Sequence, residues 1–234
     1  MRLGLRLGLS RADTPAAAGG GEEASLPAGY TALLDAADMT AGAWANKANP
    51  GSAGSEWRQI SSNITVEAAG GPNGRQWTKN PNTSFADAVH LNGKTLADMF
   101  DADAGMLGIL FKCAASEYFM YDVTNEVFYM LTGGTNTIAA YINAAAATAT
   151  GWTPGGWTAL VWRWDGTKGY VKTSDMEAWA EGADGDISAV TGDLYICGNG
   201  IFAVDCGLSL YASYDEQSEE AGDALLAYLE SLLG

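Results

Sequence analysis

Residues 156–173 read GWTALVWRWDGTKGYVKT, and the architecture of the chain can be worked out from them. Residues 157–164 form a strand-length run of β-branched, aromatic and aliphatic side chains. Asp165-Gly166 follows as a turn signal, because Asp and Gly tolerate the positive φ of tight hairpin turns. Tyr170-Val171-Lys172-Thr173 then resumes strand character, which completes a hairpin signature. Period-two alternation puts Ala159 and Val161 on one face of the first strand, and Leu160, Trp162 and Trp164 on the other. A strand apolar on both faces is covered on both, so it is expected in the middle of a packed sheet.

The pattern continues toward the C-terminus. Residues 192–198 (GDLYICG) and 206–215 (CGLSLYASYD) have strand character. Beyond them Ala221, Leu225, Tyr228 or Leu229, and Leu232 recur at three- and four-residue steps with Glu and Asp between. That spacing predicts an amphipathic helix over about residues 216–233, with Ser218 as N-cap and Gly234 at its end. Its apolar side is expected to cover a sheet edge or one end of the domain.

A tryptophan opening a strand, an aromatic-Asp-Gly turn and a Tyr-Val return strand resemble a known hairpin. It is the penultimate hairpin of concanavalin A-like, laminin-G-like jelly-roll domains, of the kind found in tailed-phage virion proteins. Residues 192–198 look like that family's Leu-x-Ile-Gly strand and residues 206–215 like its closing strand. The helix after Ser218 is similar to the C-terminal helix of bacterial and phage members. The likeness rests on the order and spacing of these motifs over residues 150–234. It implies an all-β fold, a two-sheet antiparallel jelly-roll β-sandwich.

Residues 1–28 are expected as an N-terminal extended arm and Gly/Ala-rich linker, and residues 29–234 as the sandwich with its helix. Leu3, Leu5, Leu7 and Leu9 alternate with Gly4, Arg6, Gly8 and Ser10, so an extended backbone puts all four leucines on one side. Residues 14–29 (TPAAAGGGEEASLPAG) carry few large apolar side chains and read as a flexible linker. Such a stripe either docks on its own domain or pairs with another subunit's sheet edge. The folded part begins at Tyr30, with residues 105–113 (GMLGILFKC) as the central strand. Residues 144–150 are small and polar, and are expected as a loop closed by Thr150-Gly151 and Pro154-Gly155.

A chain of 234 residues fits one large all-β domain, and 30 Gly, 8 Trp and 17% charged residues suit short strands and turns. The net charge of −16 serves solubility and repels nucleic acid and anionic membrane, so neither is expected as a partner. No run approaches the roughly 18 apolar residues of a membrane span. The opening MRLGLRLGLS lacks the uninterrupted apolar core of a secretory signal, so synthesis in the cytoplasm without general export is expected. Cys113, Cys197 and Cys206 lie in apolar stretches without metal-ligand spacing. An odd count points to buried thiols, while a Cys197–Cys206 bridge stays open if the two lie on neighbouring strands.

Several glycosidases share the fold that the resemblance implies. A retaining enzyme needs two carboxyls roughly 5–5.5 Å apart. Laminarinase-like members carry Glu-x-Asp-x-x-Glu, a string this chain lacks. Asp101-Ala102-Asp103 and Asp184-Gly185-Asp186 have alternate-position spacing but sit in Gly-rich segments, where such residues cap turns. Asp101 and Asp103 have the spacing to supply part of a calcium site, but the further oxygens and closing Glu of a full loop are absent at the expected spacing, so calcium is the one cofactor left open. His90 is the sole imidazole, without a second His or triad context, and reads as a locally hydrogen-bonded strand residue.

Trp157, Trp162 and Trp164 are expected mostly in the core. Trp77, Trp152 and Trp179 adjoin Gly-, Pro- or Asn-rich segments and are the candidates for stacking on sugar rings, against a competing reading of partial burial at a loop base. The expectation is a non-enzymatic structural or adhesive module of a phage-like virion, whether capsid decoration, fibre or tail component. Its expected partners are other virion proteins, copies of itself and host-surface polysaccharide. The alternative is a carbohydrate-active enzyme, a glycoside hydrolase or lyase on the same sandwich.

Overall fold

The computed structural model describes residues 24–234 other than 39–42, 46–55, 60–62, 82–88, 93–95, 101–103, 123–127, 135, 189, 191, 198–204 and 216–217. The leucine stripe (Leu3, Leu5, Leu7, Leu9) and the candidate calcium pair (Asp101, Asp103) lie outside the described residues.

The fold is an all-β, two-sheet antiparallel sandwich with a one-turn helix α1 (Leu96–Met99) and a C-terminal helix. Sheet A holds β1 (Tyr30–Asp35), β4 (Thr65–Glu67), β5 (Trp77–Pro81), β7 (Gly105–Cys113), β12 (Thr158–Trp164), β13 (Gly169–Thr173), β14 (Ala180–Glu181) and β16 (Asp205–Tyr214). Sheet B holds β2 (Ala43–Ala45), β3 (Glu56–Gln59), β6 (Val89–Asn92), β8 (Tyr118–Asp122), β9 (Phe128–Thr132), β10 (Asn136–Ile142), β11 (Ala145–Trp152) and β15 (Leu194–Ile196). Sheet A runs β14-β13-β12-β7-β16-β5-β4 with β1 also on β16, and sheet B runs β11-β10-β9-β8-β15-β6-β3-β2.

Strand β12 lies between β7 and β13, and all seven of its residues are buried, as its two apolar faces required. Leu160, Trp162 and Trp164 point between the sheets, where Trp162 stacks on Phe128 with ring centroids 4.2 Å apart. Ala159 and Val161 point the other way, into a second cluster on the outer face of sheet A.

That outer face explains where the helix goes. Helix α2 (Glu219–Ser231) is capped by Ser218, whose hydroxyl accepts from the Ala221 amide at 3.2 Å. It covers neither an edge nor an end; it lies on the outer face of sheet A. Leu225, Leu226 and Leu229 bury against Met106, Leu110, Val161 and Leu210, side chains as apolar as those facing inward and equally in need of cover. Ion pairs Lys172–Asp223 (2.9 Å) and Arg163–Glu219 (3.5 Å) hold the first half of the helix to the sheet.

Residues 145–152 form an edge strand, not the expected loop. Asn143 and Ala144 adopt φ of 47° and 67°, the double left-handed turn that joins two antiparallel strands tightly. Ala147 and Ala149 then face the core while Thr148 and Thr150 face solvent. The alternation was present in the sequence, but in side chains too small to read as a strand.

The Asp165-Gly166 turn forms as expected, with Gly166 at φ 81°. One Asp165 carboxylate oxygen accepts from the Thr167 amide (3.0 Å), the Thr167 hydroxyl (2.6 Å) and the Lys168 amide (2.8 Å), and the other accepts from the Tyr170 hydroxyl (3.1 Å). Partial burial pushes this carboxyl up, but the four hydrogen bonds outweigh it and hold the group at about 2. A carboxyl lowered by folding adds stability above its unfolded pKa and loses it as pH falls through the folded value. Stability is therefore expected to decline between about pH 4 and pH 2. Urea unfolding across that range should show Asp165→Asn losing less with acid than the parent; equal slopes would contradict the assignment.

Candidate functional site

Sheet B presents its outer face without a helix among the described residues, and that face carries one continuous row of aromatic side chains. Tyr195 of β15 is in register with Tyr121 of β8, Tyr121 with Tyr129 of β9, and Tyr129 with Tyr141 of β10. Their strand neighbours Ile196, Phe128, Met130 and Ile142 are buried in the core, so alternation sends the tyrosines outward. Tyr129, Tyr141 and Tyr195 are half-buried, and Tyr121 retains 6% exposure. Adjacent strands lie about 4.8 Å apart, so four consecutive strands make a strip about 14 Å long. The register continues on the backbone from Tyr195 to His90, and from His90 to Arg58.

The rings are arranged in a specific way. Tyr129 and Tyr141 stack across the strands at 4.5 Å and 15°, and Tyr121 leans on Tyr129 at 5.9 Å and 46°. In the stacked pair, Tyr129 and Tyr141 each keep one ring face for the other. The far face of Tyr141 looks toward β11, whose residue in register is only Ala146. The strip thus carries four tyrosines in register and ends at a ring whose neighbour across the strands is a methyl group. Burial, with Asp193 beside it, pushes the Tyr195 phenol up.

The tryptophans singled out from the sequence lie elsewhere and are occupied. Trp152 is 1% exposed and points into the core as the last residue of β11, so it cannot stack on a sugar. Trp77 is 7% exposed: Lys112 places its ammonium 3.7 Å above the ring, Trp157 packs edge-on at 5.5 Å, and the indole N–H donates to the Ala69 carbonyl. Trp157 is itself half-buried on the outer face of sheet A, not in the core. Trp179 is half-buried, but Gly222 of α2, the Arg163 guanidinium (4.8 Å) and the Lys172 ammonium (5.7 Å) crowd its ring. It clamps the helix. Asp184 and Asp186 accept from the amides of Asp186 and Ser188, as turn caps do. His90 lies on β6, and Tyr195 stands opposite it.

Sequence reasoning passed over the tyrosine row because each member is an ordinary strand residue. Only the order of strands in sheet B brings them side by side.

No family model matches the chain, and no curated protein matches it in sequence. Among solved structures it is similar to Trypanosoma rangeli sialidase in complex with 2,3-difluoro-KDN, with TM-score 0.64, 10% identity, and coverage of 96% of this chain and 36% of that one. A mutant of the same sialidase displaying trans-sialidase activity gives 0.63 and 10%, covering 90% and 35%. An arabinofuranosidase complexed with arabinofuranosyl-α-1,2-xylobiose gives 0.51 and 10%, covering 82% and 50%. The chain thus spans about a third of the sialidases' length and half of the arabinofuranosidase. Identity this low speaks for the fold alone. It does correct one expectation: the architecture occurs in sialidases and an arabinofuranosidase, so the chain cannot be set down as non-enzymatic. What the likeness gives is a jelly-roll sandwich of the architecture those enzymes contain.

Proposed function

We propose that the chain is an adhesive module of a phage-like particle that engages surface polysaccharide across the outer face of sheet B. The observation that carries this reading is the in-register row Tyr195–Tyr121–Tyr129–Tyr141. A polysaccharide presents alternating hydroxyls and apolar C–H patches along an extended chain. A strip of phenolic hydroxyls ending in a ring face answers both, and does so along a line. The face is shallow, so one copy binds weakly and many copies on one particle bind firmly. The leucine stripe Leu3–Leu5–Leu7–Leu9 is the proposed attachment to other virion proteins or to copies of itself.

The experiment measures retention of the full chain on a panel of immobilised bacterial polysaccharides. On a glycan that retains it, Tyr141→Ala is expected to weaken binding about three- to tenfold, and Tyr141→Phe less, since the ring face stays. Tyr129→Ala with Tyr141→Ala should abolish retention without shifting the melting temperature by more than a few degrees. Deleting residues 1–12 should lower retention only through loss of copy number. No retention on any glycan, or retention indifferent to both tyrosines, would overturn the reading. Reducing ends released in the same incubation would add turnover to binding.

A further inference from the structure

Cys197 and Cys206 belong to opposite sheets: Cys197 directly follows β15 of sheet B, and Cys206 lies in β16 of sheet A. They are not on neighbouring strands, yet their Sγ atoms approach to 3.1 Å, with both side chains buried. No disulfide joins them. Cys113 of β7 is in register with Cys206, so a third buried thiol flanks the pair. Cys197 adopts the left-handed φ of 58°, and its carbonyl accepts from the side-chain Nδ2 of Asn80 in β5, which holds the strand end against sheet A. Beside the thiols lies a cavity of about 350 Å³, with Lys112, Cys113, Pro154, Gly155 and Cys206 in its wall.

We propose that Cys197 and Cys206 form an oxidative modification site, converted by a small disulfide entering this cavity into a bridge between the two sheets. Two features carry it independently: the sulfur-to-sulfur approach across the sandwich, and a cavity that gives Cys206 a route to a reagent. The chemistry is thiol–disulfide exchange. The Cys206 thiolate attacks one sulfur of the small disulfide, whose S–S bond breaks and releases one small thiol. The Cys197 thiolate, its proton lost to solvent, attacks Sγ of the Cys206 mixed disulfide and expels the second small thiol. Two protein thiols are oxidised and one small disulfide is reduced to two thiols. The bridge then closes the short segment between residues 197 and 206 and fixes sheet to sheet.

The test uses the full chain and oxidised glutathione. After exposure, the protein is denatured, alkylated with iodoacetamide and mapped by mass spectrometry. A single alkylated cysteine, Cys113, and a 197–206 cross-linked peptide are expected. The melting temperature should rise by about 5–10 °C and return to its starting value with dithiothreitol. Cys113→Ser should behave like the parent, whereas Cys197→Ser should stop at a glutathione adduct on Cys206. Three alkylated cysteines after prolonged exposure, or a bridge that includes Cys113, would overturn the assignment.

Discussion

Trp162→Ala is expected to destabilise the domain by about 3–5 kcal/mol, which for a domain of ordinary stability is a large share of the whole. Trp162 is fully buried at the centre of the sandwich. It stacks on Phe128 at 4.2 Å, meets Trp164 edge-on at 5.7 Å, and through Phe128 and Trp164 contacts Phe100 as well. Large rings on both sheets cannot collapse into the space an alanine leaves, so the lost transfer energy and the cavity both count. The indole N–H of Trp162 has no hydrogen-bond partner among the described residues. Trp162→Phe removes that unsatisfied donor while keeping a stacking ring, and should cost far less than the alanine change. Urea unfolding with an unchanged slope checks both. Equal losses for the two variants would mean that the indole is satisfied and its shape alone matters.

The parts of the fold legible in the sequence were those where burial is one-sided in composition but two-sided in geometry. The run over residues 157–164 gave a central strand because its apolar side chains leave no polar face for solvent, and the structure buries it on both sides. The helix was visible because charges interrupt its leucines at helical spacing, and Ser218 marked its start correctly. Its resting place was not visible, since helical period says which side is apolar but not which surface receives it. Strand β11 was missed because Ala and Thr bury little area, so their alternation gives a weak signal although the strand pairs with β10 over nearly its whole length, broken only by a register shift at Gly151. The site was the least legible. Tryptophan in a turn-rich segment looks exposed, but Trp152 faces inward from a strand no one residue announces, and Trp77 lies under a lysine. The tyrosines needed the sheet order, and the cysteine pair needed the approach of one sheet to the other, both products of long-range topology.

Leu225→Ala and Leu229→Ala are each expected to cost about 2–5 kcal/mol. Both leucines are 0% exposed, and the surface beneath them is made by three strands at once: Met106 and Leu110 of β7, Val161 of β12 and Leu210 of β16. The fit depends on Gly108. A Cβ there would stand 2.6 Å from a methyl of Leu225 and 3.1 Å from one of Leu229, so glycine is what lets the helix sit close. Gly108→Val should therefore lift the helix and cost about 1–3 kcal/mol by overpacking, while Leu225→Ala in the same chain should relieve part of that strain. The double variant is the informative one: its loss should be smaller than the sum of the single losses, because each change answers the other. Strict additivity would show that helix and strand do not touch there. A change within 0.5 kcal/mol for either leucine alone would show that the helix contributes nothing to the isolated domain. If the helix did detach, it would uncover a continuous apolar surface on β7, β12 and β16, and a surface of that kind promotes association between copies. Light scattering alongside the unfolding curves distinguishes a loosened helix, which aggregates, from a merely trimmed one, which scatters like the parent and only melts earlier.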